Sequence, residues 1–404
     1  MILMQLNSKV LDKVTFLTGS ADDVMNLPEI RALSPFDDNV MVFLNDVSRE
    51  LMGNKEVKAY PDVVTFAFWI RKGSLLKLKE RFKDKDQMRL GKGIAFHIAP
   101  SNVPVNFAYS LAAGLILGNA NVVRVPSRDF AQVKMITDAF NKALEQHESL
   151  KSYLLCVRYE RDSEINDLFC AISDMRIVWG GDQTISELRK SPLPPRSGEI
   201  TFADRYSLAV IDSDSYMTIE DKARVAEDFY NDTFLTDQNA CTSPRIVVWT
   251  GKQINEAKKI FWSEEHKLVE KKYTFQPIQA VNKLTQVYIA STAMNGVKVE
   301  NHEDNLIVRI SVSEINENLM DYRDNSGYFY EYDCKDIMEL ISLCNDKRCQ
   351  TIGYIGDRNM FVPLILSGVK GIDRVVPVGK TMDFDLIWDG YNLPAMLTRT
   401  VAMV

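Results

Sequence analysis

Ile94-Ala95-Phe96-His97-Ile98-Ala99-Pro100-Ser101-Asn102-Val103-Pro104 is a short apolar run that ends in a loop carrying two prolines. Five residues of this kind read as a strand covered on both faces, and the prolines forbid its continuation. The apolar stretch 105–117 follows as a buried helix, 118–121 as a turn and 122–125 as the next strand. The pattern repeats. Pro126-Ser127-Arg128-Asp129 opens a helix that runs to about Glu145, then come a strand at 154–158, a helix at 162–172 and a strand at 175–179. Strands alternating with helices of about 10–15 residues predict a parallel, doubly wound α/β sheet.

Upstream, residues 1–90 read as helices and loops, with a basic amphipathic helix near 71–83 whose charged face is solvated. Downstream, the rigid loop 191–198 leads to a strand at 207–211 and a helix at 219–234. A second alternating series then follows: strand 246–249, helix 256–271, strands near 287–290 and 305–310, helix 335–345, strand 352–355 and helix 360–367. A chain of 404 residues exceeds one ordinary core, so two doubly wound α/β domains are expected. The expected division is 1–213, with a helical N-terminal region, then 214–385. A C-terminal segment, 386–404, returns to the first domain or reaches a partner subunit as a small oligomerisation arm.

The net charge of −7 argues against a nucleic-acid binder held by bulk electrostatics. Six cysteines without a Cys-x-x-Cys pair, and four scattered histidines, form neither a disulfide framework nor a zinc site, so no metal is expected. Residues 1–9 lack a basic segment followed by a long apolar core, and the most apolar run, 107–118, is too short to span a bilayer. A cytoplasmic protein without a membrane span is expected.

Three polar positions interrupt this frame. Cys241, in Asp237-Gln238-Asn239-Ala240-Cys241-Thr242-Ser243-Pro244-Arg245, stands where a helical run ends and a strand begins, a junction that can hold a nucleophile still. Taken by itself, a free cysteine is most often a small buried apolar residue. Asn102, between two prolines, reads by itself as a turn residue. Gly180-Gly181 sits between a strand and a helix that contains Thr184, where glycines let a backbone approach a phosphate. Gly91-Lys92-Gly93 precedes its strand and lacks the third glycine, so it is no dinucleotide fingerprint.

Taken together these segments resemble the aldehyde dehydrogenase superfamily. Residues 96–110, 118–127, 237–244 and Trp388-Asp389-Gly390-Tyr391-Asn392-Leu393-Pro394, with Tyr60-Pro61-Asp62 and Trp69-Ile70-Arg71, are similar to the acyl-CoA reductases of the bacterial luciferase operon type. The resemblance implies an aldehyde-dehydrogenase-like fold with a cofactor-binding and a catalytic domain. It also implies an NADPH-dependent reduction of a fatty acyl-CoA, or of an enzyme-bound acyl group, to aldehyde. Cys241 would be the nucleophile, and the Asn102 amide with the Cys241 N–H would hold the oxyanion. Phe202 falls where acid-forming relatives carry a glutamate that activates water, and Asp204 is a weak substitute. Arg124, Ser127 and Arg128 are the implied contacts to the adenosine ribose, with Gly180, Gly181 and Thr184 at the phosphates. Ser127 brings no carboxylate against a 2′-phosphate, which favours NADPH over NADH. An acyl-activating protein partner and a homo-oligomer are further implied. The competing readings are an acid-forming aldehyde dehydrogenase and a cysteine thioesterase or acyltransferase that pairs Cys241 with His97, His266 or His302. No site residue is drawn from 326–329, or from 345–350, where Gln350 replaces a usual glycine.

Overall fold

The computed structural model describes residues 8–83, 87–301, 304–316 and 318–403. His302, and residues 1–7 on which the expected lack of a leader rests, lie outside them. The chain forms two compact units, one made of the residues up to Ala203 with those from Tyr391 onward, the other of Asp204–Gly390.

The first unit contains β1 (Thr15–Thr18), β2 (Met88–Gly91), β3 (Ile94–Ile98), β4 (Ala120–Arg124), β5 (Leu154–Arg158), β6 (Met175–Trp179) and β7 (Gly198–Phe202). Six of these form a sheet in the order β1-β5-β4-β3-β6-β7, parallel except for β1. Ile98 lies opposite Arg124 on one side and Val178 on the other, so β3, β4 and β6 end on one edge. Phe96, Ile98, Val122, Leu155 and Val178 fill one core, against the helix Ser163–Ala171. The last strand, Thr398–Val401, pairs antiparallel with β2 of the same chain. β1 and β7 were not expected. The first is four residues long, and the second follows directly on a proline-rich loop.

The second unit contains β8 (Tyr206–Asp212), β9 (Pro244–Thr250), β10 (Lys298–Asn301), β11 (Val308–Ser311), β12 (Tyr328–Asp333), β13 (Cys349–Ile355) and β14 (Arg374–Pro377). Their order is β10-β11-β12-β9-β8-β13-β14, antiparallel only at β10. Alternate residues serve two cores, Leu208, Val210, Ile246 and Val248 on one face and Ala209, Ile211, Val247 and Trp249 on the other. Such two-sided burial is why these strands read as continuous apolar runs.

Several expectations are corrected. The units part at Ala203, not after 213, because β8 is hydrogen-bonded on both sides within the second sheet. Residues 386–390 likewise belong to the second unit. The strand expected near 287–290 is part of the helix Pro277–Ala293, which Pro277 and a Gln276/Gln279 capping box start. There Val287 and Ala290 are buried while Tyr288 is 63% exposed, which is helical periodicity. The helix expected from Pro126 begins at Ala131, after an extended Phe130. The one expected at 219–234 is two helices, Ser213–Thr218 and Lys222–Asp232, each started by an aspartate cap, Asp212 and Asp221.

Candidate active site

In the first sheet the chain turns from β3 to β4 and β5 on one side and then crosses to β6 on the other, so the strand order reverses beside β3. The carboxyl edge at such a reversal is where open α/β sheets leave a ligand crevice. Three expected segments leave that edge together: the Asn102 loop after β3, Arg124 with Ser127 and Arg128 after β4, and Gly180-Gly181 after β6. Asn102 is exposed, and its side chain makes no hydrogen bond among the described residues. Ser127 and Arg128 are exposed, and the Arg128 guanidinium lies 5.1 Å from the Phe130 ring centre. Arg124 is tied down. Its Nη2 donates to the Tyr159 carbonyl at 3.1 Å, and its guanidinium stacks 4.5 Å from that ring. Gly180 N donates to the Phe202 carbonyl at 3.1 Å, and a Cβ on Gly180 would lie 3.2 Å from the Thr184 side chain, close enough that Thr184 would have to give by a few tenths of an ångström.

Cys241 belongs to the second unit and precedes β9. All six cysteines are described, and only Cys241 is not buried. Its loop is built with strain. Asp237 and Gln238 are both left-handed (φ 52° and 57°), a conformation that costs about 1–2 kcal/mol per non-glycine residue. Gln238 offsets this with its whole amide. Its Nε2 donates to the Pro244 and Tyr328 carbonyls at 2.9 and 3.1 Å, and its Oε1 accepts from Gly327 N and Tyr328 N at 3.0 and 3.2 Å. Gly327 (φ 85°) allows this approach, since a Cβ there would meet the Leu306 carbonyl at 2.5 Å. Tyr273 and Gln279 donate to the Asp237 carboxylate, and buried Arg245 donates to the Asp324 carbonyl at 2.6 Å and to Asn325. Ser207 Oγ donates to the Cys241 carbonyl at 2.8 Å. The Cys241 N–H donates to no backbone carbonyl among the described residues.

Solvent reaches the Cys241 residue, yet protein atoms crowd its sulfur. Burial first, and then the charge of Asp389, push the thiol up to about 12, while Arg205 and the cysteine's own N–H pull the other way. Asp389 is 3% exposed, and burial lifts its carboxyl to about 7. It accepts a hydrogen bond from Gln350 Nε2. Arg205 is ion-paired with Asp373, and Thr242 Oγ1 approaches Met382 Sδ at 3.0 Å. Asp389 and Gln350 were not read as site residues. Trp-Asp-Gly reads locally as a turn, and only the pairing of β13 with β8 brings Gln350 beside the Cys241 loop.

The competing bases are engaged elsewhere. His97 Nδ1 accepts from Ser110 Oγ at 2.7 Å, Ser110 Oγ accepts from Trp179 Nε1 at 3.0 Å, and His97 Nε2 donates to Asn121 Oδ1 at 3.0 Å. Burial lowers this imidazole to about 4, so it is neutral and spent within the first unit. His266 pairs with Asp304 at 2.6 Å. Phe202, where the resemblance expects a glutamate in acid-forming enzymes, stacks on Trp179 at 3.6 Å and meets Tyr391 edge-on at 5.5 Å. Asp204 is ion-paired with Arg323 at 2.5 Å. Among the described residues no group of three metal-binding side chains forms, and no helix is long and apolar enough to cross a membrane.

Comparison with known proteins is consistent with this geometry. The model of the family described as acyl-CoA reductase (LuxC) matches residues 71–399. A long-chain acyl-protein thioester reductase of Vibrio harveyi is 22% identical over 303 residues, which cover 72% of this chain and 60% of that protein. The chain thus spans about three fifths of that relative's length. Among solved structures, aldehyde dehydrogenase 21 of Physcomitrella patens, in complex with succinate, superposes with a TM-score of 0.64 at 14% identity, covering 95% of this chain and 89% of its own. An NAD-dependent benzaldehyde dehydrogenase from Corynebacterium glutamicum gives 0.60 at 16% identity, covering 91% and 85%. The fold is that of the aldehyde dehydrogenases.

Proposed function

The chain belongs to the acyl-CoA reductase (LuxC) family, and from that premise we propose that it reduces a long-chain acyl thioester to the aldehyde through an acyl-enzyme on Cys241. The observation that carries this reading is that Cys241, alone of the six cysteines, is not buried as a residue, on a loop whose strain Gln238 holds in place. The acyl donor is a thioester of CoA or of a protein, the latter because the Vibrio harveyi relative is named for an acyl-protein substrate.

The residues divide the work as follows. The Cys241 thiolate attacks the acyl carbon, and the departing thiolate of the donor takes up a proton. The Asn102 amide, without a hydrogen bond among the described residues, and the Cys241 N–H, without a backbone acceptor among them, are assigned to the oxyanion. A nicotinamide cofactor, when bound, would supply the hydride for the thioacyl carbon. Collapse of the resulting thiohemiacetal releases aldehyde and regenerates the thiolate. Phe202, stacked against Trp179 and Tyr391, offers no base to activate water, which favours reduction over release of an acid.

The donor set at the carboxyl edge of the first sheet fits such a cofactor: a close glycine turn at Gly180-Gly181 beside Thr184, and Arg124, Ser127 and Arg128 at the end of β4. Exposed Arg128, with no carboxylate at Ser127, supports NADPH as the preferred donor, with NADH second. Proton transfer to a histidine, as a thioesterase needs, is disfavoured by the closed network around His97. Cytoplasmic location, assembly as a homo-oligomer and an acyl-activating protein partner complete the proposal.

The test is consumption of NADPH and NADH with palmitoyl-CoA and with a carrier-bound palmitoyl group, for the wild type and Cys241→Ala. Oxidation that requires both the thioester and Cys241, and yields aldehyde and free thiol, is the expected result. Free thiol without loss of reduced cofactor would make the protein a thioesterase or transferase instead.

A further inference from the structure

Burying an ammonium is costly unless each of its hydrogens finds an acceptor. Lys283 lies in the helix Pro277–Ala293, on the buried side with Val287 and Ala290, and is 1% exposed. Its Nζ donates to three backbone carbonyls, those of Asn305, Leu306 and Ser326, at 2.5, 3.0 and 2.7 Å. Three hydrogens meet three acceptors, with the Phe275 ring centre 4.7 Å away. The helix thus uses this charge to grip main chain.

The gripped residues stand just before β11 and β12, at the amino edge of the second sheet, where the Cys241 loop enters β9 beside β12. Asn305 and Ser326 are both left-handed (φ 57° and 61°), a conformation that persists in such residues when the surroundings hold it. Lys283 collects the carbonyls of both. The turn at Ser326 is also what the Cys241 loop leans on. Ser326 N donates to the Asp237 carbonyl at 3.4 Å, and the N–H groups of Gly327 and Tyr328 donate to Gln238. Asn325 Nδ2 donates to Asn239 Oδ1 at 2.7 Å. Gln279, one helical turn before Lys283, donates to the Asp237 carboxylate at 3.1 Å. One helix therefore reaches the Cys241 loop twice, directly at Asp237 and through the turn at Ser326.

We propose, resting on Cys241 being the nucleophile, that Lys283 is a positioning residue for the reaction: its ammonium fixes the turn before β12 that carries the Cys241 loop, and so sets where Sγ stands. The ammonium touches no reacting atom and acts through Ser326, Gly327 and Gln238. Burial pulls it down to about 8, against the charges of Asp324, Asp237 and Asp304, which agrees with a group kept dry for the sake of these three bonds.

The experiment compares the wild type with Lys283→Met, which keeps the length of the side chain and removes its donors. The readouts are Tm, kcat and KM for thioester-dependent NADPH oxidation, and the rate of iodoacetamide alkylation at Cys241 by peptide mass spectrometry. A displaced nucleophile loses rate rather than substrate binding, so kcat is expected to fall about 10²-fold with both KM values within about twofold. Release of the loop is expected to raise alkylation at least about threefold. A wild-type kcat per folded molecule overturns the proposal, whatever happens to Tm, because a merely stabilising lysine would leave turnover alone. Unchanged alkylation overturns it as well. Should Lys283→Met fail to fold, Lys283→Gln, which keeps an uncharged pair of donors, replaces it under the same limits. Cys241→Ala separates the two claims. Full activity there removes the nucleophile reading, whereas its inactivity beside an unimpaired Lys283→Met leaves the nucleophile standing and removes Lys283.

Discussion

The two sheets carry their chemistry on opposite edges and by opposite means. In the first unit, Asn102, Arg128 and Gly180 leave the carboxyl ends of β3, β4 and β6, where a reversal of strand order leaves a crevice in open α/β sheets. The polar side chains just behind that edge, His97, Ser110, Asn121 and Trp179, satisfy one another completely. In the second unit, Cys241, Gln350 and Asp389 gather at the amino ends of β9, β13 and their neighbours, and capacity is left over: among the described residues Gln350 Oε1 has no partner and the Cys241 N–H has no backbone acceptor. A buried network that is complete rigidifies a core. One that is incomplete beside the proposed nucleophile leaves hydrogen-bonding capacity unused.

The largest test of this contrast is Cys241→Ala. Loss of a nucleophile is expected to lower thioester-dependent NADPH oxidation by about 10³-fold or more, with thermal unfolding unchanged. Survival of activity would break the comparison at its second half. Asn102→Ala comes next. Its amide has no structural partner to lose, so kcat is expected to fall by about 10²–10³ while stability and Cys241 alkylation stay put. A loss of stability instead would make Asn102 a turn residue and nothing more.

The complete network makes its own prediction, in pH. The folded value of His97 lies below its ordinary one, so the stability it contributes is present above about 6.5 and lost as pH falls through about 4. The difference of 2.5 units, 6.5 minus 4, corresponds to about 3 kcal/mol at about 1.4 kcal/mol per unit. Denaturant titrations of the wild type between pH 7 and 4 should show this loss, and His97→Gln should flatten it. Smaller again is Arg128→Glu. A carboxylate there is expected to raise KM for NADPH about tenfold and leave KM for NADH nearly unchanged, and equal effects on both would remove Arg128 from the cofactor.

Much of this was legible in the chain because its signals are local. Proline-bounded Asn102, the Gly180-Gly181 turn and Cys241 before a strand are each contained within about a dozen residues, and the alternation of apolar runs is enough for two wound sheets. Val287-Tyr288-Ile289-Ala290 misled because a β-branched and aromatic run resembles a strand when the helix start at Pro277 lies ten residues upstream. Arg124 reads as a cofactor contact, and the cation–π stack with Tyr159 that orients it depends on where β5 ends, which is not in the local sequence. Asp389 was invisible for the same reason. Its partner Gln350 is distant in sequence and meets it only through the fold.

Glu265 supplies the smallest effect and the sharpest control. It lies in the helix Ile254–Lys272, fully buried, with neither carboxyl oxygen hydrogen-bonded among the described residues. If any incomplete buried polar group marked function, Glu265 would qualify, yet nothing ties it to the Cys241 cluster. Burial, with the charges of Glu227 and Asp232 adding, holds its carboxyl well above the usual range. A raised folded value means that its cost is absent below the unfolded value near 4.5 and grows as pH rises toward the folded one. Glu265→Gln keeps the shape and removes that cost. It is expected to raise Tm by a few degrees at pH 7.5, at about 2–4 °C per kcal/mol for a unit of this size, with the gain shrinking toward pH 4. Turnover and the alkylation profile of Cys241 should be unchanged. A fall in turnover with Tm raised would show that an orphaned carboxyl far from the nucleophile matters to catalysis, and the distinction between the two regions would then rest on position in the sheet rather than on incomplete hydrogen bonding.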